Sequence, residues 1–89
     1  MDSEQIQNFL SQKASGKIKY VKIDFTKRDS IFGLFLDQEK DFKELSHKNF
    51  WRIVPQKHLD SYHKTKDVNL ARIFNGAEIT RLSLWEDQF

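Results

Sequence analysis

The run Ile31-Phe32-Gly33-Leu34-Phe35-Leu36 is apolar on both faces if it is extended. Successive side chains of a strand point to opposite sides, so such a strand must be covered twice or bent. Gly33, with no Cβ, is where bending costs least.

The neighbouring runs are of a different kind. In residues 17–25, Val21, Ile23 and Phe25 point one way and Lys22 and Asp24 the other, the pattern of a half-buried strand. Residues 26–29 make a polar turn. Phe50-Trp51-Arg52-Ile53-Val54, within residues 49–54, has strong strand propensity and ends at Pro55. Pro55 also suits the first position of a helix, and Leu59 and Tyr62 lie three apart, which predicts a short helix over 55–66. Residues 70–74 and 78–85 read as strands flanking Asn75-Gly76, the strongest short hairpin signal, with positive φ angles expected at the turn. At the start, residues 2–15 form an amphipathic helix. Asp2 caps it with Gln5 in the capping-box position, Ile6, Phe9 and Leu10 make one stripe, and Gly16 stops it. Residues 38–48 are polar, with Phe42 and Leu45 as anchors, and fit either a loop or a helical turn.

These elements predict a single domain over 1–89, a helix in 1–16 and a small barrel in 17–89. The class is mainly β (α+β by content): an N-terminal helix, then a small, strongly bent five-stranded antiparallel barrel with a short helix between the third and fourth strands. Five short strands are too few for a sandwich. More strand than helix is expected, with helix confined to the N-terminal segment and the stretch after Pro55. A chain of 89 residues has a thin core, and its 13% aromatic residues must supply much of the burial.

Without Cys there is neither a disulfide framework nor a thiolate metal site. Residues 1–12 hold Asp2 and Glu4 and no basic residue, unlike a secretory signal, and no apolar stretch approaches the roughly 20 residues that span a bilayer. The expectation is a cytoplasmic protein with no membrane association. Net charge is +2 but uneven. Lys13, Lys17, Lys19, Lys22, Lys27 and Arg28 form one basic segment, and Lys48, Arg52, Lys57, Lys64 and Lys66 a second. Asp29, Asp37, Glu39, Asp41 and Glu44 lie between. Two basic segments can converge on an anion-binding face, against the plainer reading of a solvated surface of mixed charge.

Ile73-Phe74-Asn75-Gly76-Ala77-Glu78-Ile79-Thr80-Arg81-Leu82 resembles the second motif of the Sm-like RNA-binding barrels, with Phe74, Gly76, Ile79 and Leu82 in the apolar and Gly places. Asn75 stands where the family usually has Arg or Lys. Val21 to Phe25, a turn, and Gly33-Leu34-Phe35-Leu36-Asp37 resemble the first motif, without the Asn that often follows its Asp. The resemblance implies a non-enzymatic protein that binds single-stranded RNA, with Asn75 and Gly76 in a contacting loop. It also implies a homo-oligomeric ring closed by pairing edge strands, here those around residues 70–74 and 78–84.

Lys48, Trp51 and Arg52 are the leading contacts from the residues themselves, because they combine cations with a stacking surface near one strand. The alternative is that Trp51 is core. A small-barrel module that binds a protein partner and no nucleic acid, anchored by Trp51, Tyr62 and Trp85, is the competing reading, and Trp85 and Phe89 would cover a barrel mouth or a partner. His58 and His63 are five apart rather than the four a helical metal pair needs, and the Asp37, Glu39, Asp41, Glu44 loop lacks the Gly and twelfth-place Glu of a calcium loop. No metal site, cofactor or catalytic residue is expected.

Overall fold

The computed structural model describes residues 1–12, 20–37 and 39–84. Helix α1 (Ser3–Gln12) is followed by β1 (Val21–Phe25), β2 (Ile31–Phe35), α2 (Phe42–His47), β3 (Phe50–Pro55), a 3-10 turn (Gln56–His58) and α3 (Leu59–Thr65). After a second 3-10 turn (Val68–Leu70) come β4 (Arg72–Asn75), a third 3-10 turn (Gly76–Glu78) and β5 (Ile79–Leu84). The five strands form one antiparallel sheet in the order β4-β3-β2-β1-β5.

The capping box of α1 forms as its sequence predicts. The Gln5 backbone N–H donates to the Asp2 carboxylate at 2.8 Å, and the Asp2 N–H donates to the Gln5 side-chain oxygen at 3.0 Å. Ile6 is fully buried, with Phe9 and Leu10 packed beside it. Gly16, expected to stop this helix, lies outside the described residues, as do Trp85 and Phe89.

The sheet is strongly bent. In a flat sheet, β1 and β4 would be three strand spacings apart, about 14 Å. Yet the Phe25 and Phe74 rings meet with centroids 5.6 Å apart. The concave side holds the main core, including Val21, Ile23, Phe35, Trp51, Ile53, Ile79 and Leu82, with α1 laid across it. Gly33 sits where the bend needs it, since a Cβ there would come within 2.7 Å of the Val54 carbonyl oxygen. The double burial of β2 is also seen. Phe35 faces the concave core, while Leu34 and Leu36 join Val54 and Leu59 in a second cluster on the convex side, under α3.

Three expectations need correction. First, residues 42–47 are helical, and the described residues are 42% helical and 34% strand, so helix exceeds strand. Short helical crossovers carry too few apolar positions for a periodic signal. Second, β4 and β5 do not form a hairpin. They are the two outer strands, and the turn between them spans the open side of the sheet. The sheet therefore does not close into a full barrel. Third, Asn75-Gly76 does not use positive φ. Asn75 is extended at φ −83°, and its side-chain oxygen accepts from the Ala77 N–H at 2.9 Å, capping the 3-10 turn. Among the described residues, the non-glycine ones with positive φ are Asn49 and Lys66, which follow the ends of α2 and α3, where a left-handed residue stops a helix.

Candidate functional site

The expected contacts come from two places. Lys48 and Asn49 connect α2 to β3, which carries Trp51 and Arg52. Asn75 and Gly76 begin the turn that joins the two outer strands. The structure brings these together through Asn49. Its carbonyl accepts from the Gly76 N–H at 2.8 Å, its side-chain amide donates to the Met1 carbonyl at 2.9 Å, and its side-chain oxygen accepts from the Trp51 indole N–H at 2.9 Å. The left-handed backbone at Asn49, φ 64°, turns the side chain into this position. The Met1 amino group adds a bond to the Gly76 carbonyl at 3.0 Å and one to that of Ile79.

Trp51 is therefore no stacking platform. It is 1% exposed and is packed edge-on against Phe35 and Phe42, with its N–H satisfied inside. Strand alternation requires Trp51 and Arg52 to face opposite ways, and the concave core takes the indole because it buries more apolar area. Arg52 faces outward and is held by Asp41 in an ion pair. Lys48, 64% exposed at its side chain, lies 3.6 Å from Glu44, one helical turn earlier. Asn75 is occupied in its own cap, and Gly76 is buried against Asn49. Of the two expected cations, Lys48 is the more exposed, and Glu44 lies beside it as Asp41 lies beside Arg52.

The acidic loop does local work. Asp41 and Glu44 pair with Arg52 and Lys48, so the second basic segment is partly neutralised where β3 begins. Among the described residues, no three His, Asp or Glu side chains gather in a way that could hold a metal ion. His63 bonds instead to the Tyr20 hydroxyl at 2.7 Å, tying α3 to the approach of β1. Tyr62 packs against the convex cluster, and burial first, then the nearby Glu39 charge, push its phenol above the ordinary value of 10.0.

Two features escaped the sequence reading. One is an apolar spot on the outer face of β3 and β4. Phe50 is 36% exposed and Ile73 52% exposed, and they are diagonal neighbours, since Phe50 pairs with Asn75 and Arg52 with Ile73. The other is a cleft of about 390 Å³ between the β1–β2 turn and the β4–β5 turn, lined by Phe25, Thr26, Lys27, Arg28, Ala77 and Glu78. The adjacent apolar pairs Phe50-Trp51 and Ile73-Phe74, whose members must face opposite sides of a strand, were a signal for the first. The second needed knowledge of which turns meet. Among the described residues, no helix is long and apolar enough to cross a membrane.

Comparison with protein-family models, with curated proteins and with solved structures finds no match to this chain. The Sm-like resemblance thus rests on the motif pattern described above.

Proposed function

We propose that this chain is a non-enzymatic, Sm-like, cytoplasmic small-barrel subunit that assembles with copies of itself through the outer edges of β4 and β5 and, once assembled, binds single-stranded RNA. The observation that carries the reading is the strand order. The strands that the Sm-like resemblance assigns to subunit contacts are the two outer strands, and among the described residues neither has a partner on its outer side. An open edge presents unpaired N–H and C=O groups, and pairing β4 of one copy with β5 of the next satisfies both edges at once.

Because Trp51 is core and Arg52 is paired with Asp41, the RNA half of this reading rests on other cations. The exposed cations Lys27 and Arg28 are what favour it, since Lys48 is paired with Glu44. Light scattering on the purified protein tests assembly: a mass of several subunits is expected, and a strict monomer at high micromolar concentration sinks the ring.

The exposed Phe50 and Ile73 beside the β4 edge favour a second reading, a module that binds a strand of a different protein. Salt separates the two. Phosphate contacts weaken steeply as salt rises, whereas strand addition onto an apolar edge does not.

A further inference from the structure

Arg28 does not simply extend into solvent. Its guanidinium carbon lies 5.1 Å from the Phe25 ring centroid and 5.5 Å from that of Phe74. Those two rings meet across the open side of the sheet, so Arg28 lies over the place where β1 and β4 converge. A guanidinium over aromatic rings stays charged while the contact, a modest attraction at an exposed site, favours that position, and the residue as a whole is exposed. It forms one wall of the cleft between the β1–β2 and β4–β5 turns. Lys27 and Glu78 supply the other charged side chains there. The two turns are locked to each other, because the Thr26 N–H donates to the Glu78 carbonyl at 3.0 Å and the Thr26 hydroxyl donates to the same oxygen at 3.3 Å.

We infer that this cleft binds a nucleotide, with its base stacked on Arg28, its phosphate near Lys27 and its amino groups turned to Glu78. Three features select that class. A backed guanidinium offers a flat cationic surface, which suits a base better than an aliphatic group. Lys27 supplies a compact charge for phosphate. Glu78 would repel a bare anion, so the ligand must bring hydrogen-bond donors as well as negative charge, and guanine presents adjacent N–H donors on one edge. The volume, about 390 Å³, falls in the range of small-ligand clefts. The site is complete within one subunit, so it does not depend on assembly. Its ligand could be a free nucleotide or one residue of a single strand.

Amide NMR spectra of the full chain, titrated with GMP, inorganic phosphate and a short single-stranded RNA rich in guanine, test this. Millimolar GMP should shift the amides of Thr26, Lys27, Arg28, Ala77 and Glu78, and phosphate at equal concentration should not. Arg28→Lys keeps the charge and loses the plane, so it should weaken GMP about tenfold. Lys27→Ala should weaken both GMP and the oligonucleotide. Tighter binding of the oligonucleotide through the same amides identifies a strand as the source, and equal or weaker binding identifies the free nucleotide. No GMP shift, shifts confined to other residues, or equal displacement by phosphate would each overturn the assignment. An oligonucleotide that binds elsewhere while GMP fails leaves the RNA reading standing without this cleft. GMP binding by a strict monomer does the reverse to the ring.

Discussion

The side-chain oxygen of Asn49 lies 2.1 Å from where a Cβ on residue 76 would stand, so the glycine at 76 and the asparagine at 49 require each other. Gly76→Ala must push Asn49 aside and break its bonds to Trp51 and Met1. We expect a cost of about 1–3 kcal/mol, the usual range for overpacking. Asn49→Gly tolerates the left-handed backbone and clears the space, so Gly76→Ala should cost less in that background. Denaturation midpoints of the four proteins give the coupling, and strict additivity would show that the two residues do not compete for space.

Replacing Trp51 tests whether it is core or contact. Trp51→Ala should lower stability by about 3–5 kcal/mol, as for other buried aromatics. Urea unfolding measures this directly. A near-neutral change would mean that the indole is surface material after all.

The convex cluster under α3 contributes separately. Leu59 is buried against Leu34, Leu36 and Val54, and Leu59→Ala should cost about 2–5 kcal/mol. Amide exchange should quicken in α3. If exchange in α3 is unchanged, that helix is held by other contacts.

Oligonucleotide binding, if present, should report which cations matter. Lys48→Ala with Arg52→Ala removes charges that Glu44 and Asp41 already offset, so the slope of log affinity against log salt should scarcely move. Lys27→Ala with Arg28→Lys removes one charge and should lower that slope by about 0.7. A larger drop from the first pair would return the site to the start of β3.

Assembly has its own variant. Ile73→Lys places a charge on the exposed face beside the β4 edge, a device that blocks edge pairing. It should reduce the solution mass toward that of one chain while leaving the circular dichroism spectrum unchanged. An unchanged oligomer would move the interface off β4.

Local chemistry was legible in the sequence. The Asp2–Gln5 capping box joins residues three apart, and the burial of β2 on both faces follows from the six letters of the run Ile31 to Leu36. What involved distant partners was not. Asn75-Gly76 looked like a tight hairpin because the dipeptide alone cannot show that its glycine makes room for Asn49. Alternation required one of Trp51 and Arg52 to be exposed, but the choice belonged to the bend, which defines the inside. In α2, Phe42 and Leu45 alone mark the buried side, too few to distinguish a helix from a loop.

The pairing of β1 with β5 also shapes how the chain is made. Val21 must meet Leu84, and Ile23 must meet Leu82. A ribosome delivers β1 early and β5 late, so β2, β3 and β4 can dock while one edge of β1 stays bare. Such long-range closure is slow compared with helical folding. At translation rates of about 5–20 residues per second, that edge is exposed for several seconds on every nascent chain. Lys22 and Asp24, the two charges on the solvent side of β1, are thus placed where they discourage the half-made sheet from pairing with its neighbours on the same message.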